Sequence, residues 1–178
     1  SKEFADETQP TLTLLLDTVF SGSVELKANP FEWAIKCVVS IADYARRRGY
    51  PFRVIHGDER LPSGDLLSWE AFLQIMARIQ LTETPFTSLT QRVSGSTMIT
   101  SVILDPNTNH AADLLALKAR GLSVTAVLLV PSSFPPAAEA CAETLVIPRI
   151  DTISIHYPID HAAQLSAAFQ PQGSIRET

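Results

Sequence analysis

Thr11–Asp17, with the sequence TLTLLLD, is the stretch that decides the fold. The run is nearly continuously apolar rather than alternating, which is typical of a strand covered on both faces, as in a parallel sheet. Asp17 ends the run. Residues 18–29 then form a connection longer than the roughly two to six residues usual between a strand and a helix. The stretch therefore predicts the first buried strand of an α/β domain, ending in an acidic loop.

Outward from this strand, apolar runs and amphipathic segments alternate along the chain. Asn29 and Pro30 are a typical cap and first residue of a helix, which we expect to end at Gly49, and Ser68 is placed to cap the next one. Asn109 or a neighbour is expected to open the helix over 111–120. The further predicted strands are 52–56, 97–104, 124–130 and 153–157, and the later predicted helices are 69–79, 111–120, 135–144 and 160–169, with room for a short helical turn in 82–96.

This alternation implies right-handed crossovers and a parallel sheet with helices on both faces. The predicted fold class is therefore α/β, a three-layer, doubly wound, mostly parallel sheet with Rossmann-like topology. We expect a frayed or disordered N-terminus over 1–10, a single domain over 11–170 and a C-terminal tail over 171–178. The chain begins Ser1-Lys2-Glu3-Phe4 without an initiator Met, which favours an excised domain of a longer protein.

Composition limits the function classes. The 178 residues are 46% hydrophobic and 19% charged, with a net charge of −5, which argues against nucleic-acid binding. The one basic cluster, Arg46–Arg48, falls at the end of a predicted helix, where cations favour exposed carbonyls. Cys37 and Cys141 are not spaced as metal ligands or redox-active cysteines usually are. We therefore expect two buried free thiols, and a disulfide between them is the alternative. No apolar run reaches the roughly 18 residues that span a bilayer.

Candidate ligands cluster where predicted strands end. Asp17 and Asp105 each follow a buried strand directly, so both carboxylates are expected at the ligand-binding edge of the sheet. With hydroxyls from Ser21, Ser23 or Thr87 they would form an oxygen site suited to Mg²⁺. The alternative is that both aspartates only cap turns and helices, which is common at strand ends. The residues alone leave both interpretations open.

Other chemistries lack their motifs. The first loop holds a single glycine, Gly22, without a dinucleotide fingerprint or a phosphate-loop lysine, and no Gly-x-Ser-x-Gly elbow occurs. The four histidines, at 56, 110, 156 and 161, have no zinc-helix spacing. His56 near Asp58 and His110 after Asp105 are placed to orient a base, but polar loop residues without a catalytic role are favoured.

The chain resembles the family called domain of unknown function 58 over about residues 11–169. The resemblance rests on Leu14–Thr18, on Phe31–Ala34 opening a helix that runs to Tyr44–Gly49, on Val102–Asp105 and on Leu117–Val124. It implies a fold similar to the von Willebrand factor A domain and no established enzymatic activity. It also implies a gene near a MoxR-type AAA+ ATPase, a membrane anchor upstream of the module, and an accessory role in protein assembly or cofactor insertion.

The resemblance also implies a site. The metal-ion-dependent adhesion site of A domains would begin Asp-x-Ser-x-Ser in the first loop, where this chain has Asp17-Thr18-Val19-Phe20-Ser21. Asp17 and Ser21 match, whereas Val19 removes one oxygen ligand. Asp105 falls at the later acidic position, and the intervening threonine stays open among Thr84, Thr87 and Thr90. The resemblance thus implies a degenerate metal site, with weak Mg²⁺ binding at most and no other cofactor.

The favoured function is a non-enzymatic module that docks a protein partner, such as a MoxR-type ATPase, through these loops. Phe20 and Phe86 would contact the partner, unless both rings fold back to staple their own loops. We expect a cytoplasmic domain of a membrane-anchored parent protein. The alternative function is a magnesium-dependent hydrolase or phosphoryl-transfer enzyme that uses Asp17 and Asp105, and a purely structural domain is a third possibility.

Overall fold

The described part of the chain forms a parallel sheet with helices on both faces. The computed structural model describes residues 10–22, 29–63, 68–95, 98–130, 134 and 147–155. The strands in this part are β1 (Leu12–Leu16), β2 (Phe52–His56), β3 (Met98–Ile103), β4 (Ser123–Leu129) and β5 (Asp151–Ile155). The helices are α1 (Pro30–Arg47), α2 (Trp69–Arg78), α3 (Phe86–Gln91) and α4 (Thr108–Ala119). The strand order is β2-β1-β3-β4-β5, and every neighbouring pair is parallel.

Strand β1 has a neighbour on each side, in register with Phe52 of β2 and Met98 of β3 at Leu12. All five of its residues are buried. Leu12, Leu14 and Leu16 belong to the core layer under α1 and α2, whereas Leu15 belongs to the opposite layer under α3 and α4. Because both faces are covered, the strand is continuously apolar, and the predicted three-layer α/β fold is confirmed.

The helix starts follow local capping chemistry. The Asn29 side chain accepts a hydrogen bond from the Glu32 N–H at 2.9 Å, with Pro30 at the first helical position, and Ser68 accepts from the Ala71 N–H at 3.2 Å. Both caps were predicted from the sequence. Helix α4 begins earlier than expected, at Thr108, because Asn107 rather than Asn109 is its cap. Asn107 and His110 form a capping box, in which the side chain of each residue accepts a hydrogen bond from the backbone N–H of the other. Two otherwise free N–H groups are thereby satisfied, which favours this start.

Strand β2 has the predicted bounds, and β4, Ser123–Leu129, lies one residue earlier than predicted. Strand β5 begins at Asp151 rather than at residue 153, in register with Thr125 of β4. The polar segment 82–96 holds α3 as its helical turn. Cys37 is a buried free thiol whose pKa is raised to about 12 by burial. The predicted helices at 135–144 and 160–169, Ser23, Cys141 and the terminal segments 1–9 and 171–178 lie outside the described residues.

Within the described part of the chain, no helix is long and apolar enough to cross a membrane.

Three threonines hold the loops at the carboxyl edge of the sheet around Gly57. Thr18 and Thr82 share a hydrogen bond between their hydroxyls at 2.7 Å, and the Thr82 N–H donates to the Thr18 carbonyl at 2.8 Å. The Thr84 hydroxyl donates to the Gly57 carbonyl at 3.0 Å. A Cβ at Gly57 would lie 2.4 Å from Thr18 Oγ1 and 2.7 Å from Thr82 Oγ1. The loop after β1 is therefore tied to the segment that precedes α3.

We expect Gly57→Ala to lower the free energy of unfolding by about 1–3 kcal/mol, because the added methyl group overpacks the threonine cluster. Urea denaturation measures the loss. Adding Thr82→Ala should recover part of it, since the Thr18 hydroxyl then loses its partner and can turn away from the methyl group. Strictly additive effects of the two substitutions would contradict the steric account.

Candidate functional site

The site lies where the strand order reverses, between β1 and β3. After β1 the chain passes through α1 on one face of the sheet, and after β3 it passes through α4 on the other face. The two connections leave in opposite directions, which opens a crevice at the carboxyl ends of these neighbouring strands. Asp17 and Asp105 both line the resulting pocket, which has a volume of about 260 Å³.

Asp17 is fixed in the fork between the two strands. Its backbone N–H donates to the Val102 carbonyl at 2.9 Å, which extends the β1–β3 ladder by one residue. Its Oδ1 accepts from the Val19 N–H at 3.1 Å, and its Oδ2 accepts from the Leu104 N–H at 3.4 Å. The residue is 1% exposed. The carboxylate therefore joins the loop after β1 to the loop after β3.

His110 provides the third contact of this carboxylate. Its Nε2 lies 3.3 Å from Asp17 Oδ2. Its Nδ1 accepts the Asn107 backbone N–H at 3.2 Å, as one half of the capping box at the start of α4. Since Nδ1 is an acceptor, the proton of the neutral ring is assigned to Nε2, the nitrogen that lies beside Asp17. The helix cap thus sets the tautomer that faces the buried carboxylate.

The pocket brings together the described residues that were predicted as carboxylate or serine ligands or as partner contacts, and one of the three candidate threonines. The predicted residues among its lining are Asp17, Phe20, Ser21, Phe86, Thr87 and Asp105. Sequence reasoning favoured a polar loop residue without a catalytic role for His110, and it gave no role to Asn107 or Asp113, all of which line the pocket. The spacing Asn107-x-x-His110 was the available signal, because it matches a capping box with histidine in the reciprocal position.

The three candidate threonines separate in space. The Thr84 hydroxyl donates to the Gly57 carbonyl, and the Thr90 hydroxyl donates to the Thr87 carbonyl at 2.8 Å. Thr87 is the one of the three that lines the pocket, where its hydroxyl donates to Asp113 Oδ2 at 2.8 Å. Of the alternatives left open by the sequence, the geometry favours Thr87.

As arranged, these groups fit a divalent cation poorly. Both oxygens of Asp17 already accept hydrogen bonds, and Val19 presents an aliphatic side chain that is 39% exposed. Within the described ranges, no three His, Cys, Asp or Glu side chains form a group that could hold a metal ion. Mg²⁺ needs about six oxygen ligands in near-octahedral geometry. The assignment of Asp17, Ser21 and Asp105 as metal ligands stays a prediction.

The two phenylalanines differ in how much surface they offer. Phe20 is half-buried, and its ring covers Gly22, where a Cβ would lie 2.4 Å from the ring. Phe86 is 5% exposed and packs against the His110 ring, with centroids 5.2 Å apart. Both rings support the pocket from within, as the loop-stapling alternative expects. Their contact with a partner stays a prediction, and Val19 is the exposed apolar side chain beside them.

A second buried polar group follows β2, at His56. Its Nδ1 accepts the Asp58 N–H at 3.2 Å, and its Nε2 is 2.8 Å from the Pro62 carbonyl, so the ring is held neutral with its proton on Nε2. Burial lowers the pKa of His56. Asp58 is paired with Arg60, whose guanidinium lowers the pKa of that carboxyl to about 2. These contacts serve the loop itself, and none of these residues lines the pocket.

We expect acidification from pH 7 to pH 5 to destabilise the wild type more than a His56→Gln variant. The folded-state pKa of His56 is lowered, so the unfolded chain binds more protons as the pH falls through about 6.5, its ordinary value. The contribution of neutral His56 to the free energy of unfolding is therefore present above that pH and is lost below it. Urea denaturation at both pH values gives the comparison, in which the other histidines cancel. Equal losses in the two proteins would contradict the assignment.

A solved structure is similar to this chain along nearly its whole length. It is described as the crystal structure of the SpRpn10 VWA domain, with a TM-score of 0.55 and 12% sequence identity, covering 94% of this chain and 99% of that chain. At this identity the likeness shows the fold, so the predicted von Willebrand factor A-like fold is confirmed. No protein-family model and no curated protein matches the chain. Membership of the domain of unknown function 58 family stays a prediction.

Proposed function

We propose that this chain is a non-enzymatic protein-interaction module that docks its partner at the carboxyl edge of the sheet. The observation that carries the proposal is the pocket between β1 and β3, where Asp17 is held by His110 and backbone N–H groups. In such an arrangement the carboxylate is used to shape a surface. The pocket would act as a degenerate metal-ion-dependent adhesion site, with the partner contacting its rim.

The resemblance of the sequence supports a more specific proposal about the partner. A MoxR-type AAA+ ATPase is the proposed partner, and protein assembly or maturation is the proposed process. The parent protein would be membrane-anchored, with this domain on the cytoplasmic side. The fold likeness to a VWA domain is consistent with this proposal.

The charges of the pocket support a partner surface of opposite sign. Asp105 is exposed and Asp113 is half-buried at the rim, and the described residues that line the pocket include no lysine or arginine. Exposed Val19 adds an apolar contact. An acidic rim around an apolar contact complements a basic segment that also carries an apolar side chain.

No observation favours the magnesium-dependent hydrolase or phosphoryl-transfer alternative. Such an enzyme needs a nucleophile or an activated water as well as a cation. The two oxygens of Asp17 are occupied by N–H donors instead. We therefore do not propose this function.

We expect Val19→Asp to weaken binding of the neighbouring MoxR-type ATPase by about tenfold or more, because it adds a negative charge to an apolar contact beside an acidic rim. Pulldown in the presence of Mg²⁺ and nucleotide, followed by titration calorimetry, measures the effect. Leu73→Asp is the matched control, because Leu73 is also 39% exposed but does not line the pocket.

Equal binding by the two variants would place the contact elsewhere on the domain. Recovery of no ATPase by the wild-type domain would count against this partner. In that case the same two variants, used with partners captured from the native host, still test whether the pocket is the docking surface.

A further inference from the structure

We infer that the His110 imidazole takes the place of a divalent cation beside Asp17, so that the protein's own side chain prevents metal binding at this site. The fold implies a metal site at this position, whereas the chain presents N–H groups to the carboxylate. The exclusion of metal does not depend on the identity of the partner.

The buried carboxylate of Asp17 needs groups that compensate its negative charge. Asp17 is 1% exposed, and a carboxylate removed from water needs donors or a cation to offset its lost hydration. Backbone N–H groups of Val19 and Leu104 supply two donors, one to each oxygen. The Nε2 atom of His110, on α4, lies 3.3 Å from Oδ2. Groups of the chain therefore surround the carboxylate, without an ion.

His110 is held in a fixed tautomer. Its Nδ1 is tied to the Asn107 N–H in the capping box, so Nε2 carries the proton that faces Asp17. The ring also packs against Phe86 at 5.2 Å, and the His110 side chain is 12% exposed. With Nε2 at 3.3 Å from Asp17 Oδ2, the protonated side of the ring occupies the space that a cation at this oxygen would need. His110 is thus a positioning residue that keeps Asp17 in a metal-free state.

A second position, Val19, acts in the same direction as His110. Val19, two residues after Asp17, brings its backbone N–H to Oδ1 and carries no oxygen that could ligate. The side chain at this position therefore offers no oxygen where a cation site needs a ligand. Two independent positions, one after β1 and one in α4, act in the same direction.

The test replaces both side chains, Val19 and His110, and measures binding of Mg²⁺ and Mn²⁺ to the domain alone, without a partner. We expect no heat of binding and no change in Tm for the wild type at millimolar metal. The double variant Val19→Ser/His110→Ala should bind with a Kd in the millimolar range. His110→Ala alone should lower Tm by several degrees, because the capping-box hydrogen bond, the packing on Phe86 and a polar neighbour of a buried charge are lost. Metal should raise the Tm of the double variant.

The control is Asp17→Asn added to the double variant, which should abolish the gained binding. Leu115→Ala, a change in α4 at an exposed residue that does not line the pocket, should behave as the wild type does. Val19→Ser alone should bind no metal, since His110 still faces the carboxylate.

Three results would overturn the inference. They are metal binding by the wild type as tight as that of the double variant, binding by Val19→Ser alone, and no binding by a double variant that circular dichroism shows to be folded. If the double variant does not fold, the wild type and Val19→Ser still decide the question. A failure to find the partner leaves each of these measurements unchanged.

Discussion

A buried carboxylate is stable only when hydrogen-bond donors surround it. Because Asp17 lies between β1 and β3, this requirement fixes the positions of several segments at the carboxyl edge of the sheet. Its two oxygens receive N–H groups from Val19, which follows β1, and from Leu104, which follows β3. His110 of α4 brings its Nε2 to 3.3 Å from Oδ2. The pairing of β1 with β3, the turn after β1 and the start of α4 are thereby coupled through one side chain. Disturbing any of these elements exposes an anion to an apolar interior.

The neighbouring loops are held by a different kind of contact. Thr18, Thr82 and Thr84 close around Gly57 through hydroxyl and backbone hydrogen bonds, in a space that a Cβ would overfill. At the outer strand, Ser63 accepts the His56 N–H at 3.2 Å, and Arg92 donates to the His56 carbonyl at 3.0 Å. Strand β2 lies at an edge of the described sheet, and these side chains satisfy its last backbone groups.

A fold of this type places ligands at the switch point whatever their chemistry, so the fold alone does not say what binds there. The likeness to a VWA domain gives the architecture, while the side chains after β1 and β3 decide how the crevice is used. Here they supply an acidic rim, two supporting aromatic rings and a histidine directed at the central carboxylate. The arrangement favours a shaped protein surface, which is why the proposed function is recognition of a partner.

The sequence by itself determined the elements and the region of the site. The apolar run at 12–16, the Asn29 and Ser68 caps and the acidic strand ends are local patterns, because backbone periodicity and capping depend on residues close in the chain. Only the tertiary structure decided the strand order, the choice of Thr87 among three threonines and the contact of His110 with Asp17. The donor that meets a buried carboxylate depends on how distant segments pack, and no local pattern records that distance. The first strand could therefore be predicted from its own residues, whereas the chemistry at its acidic end required the fold.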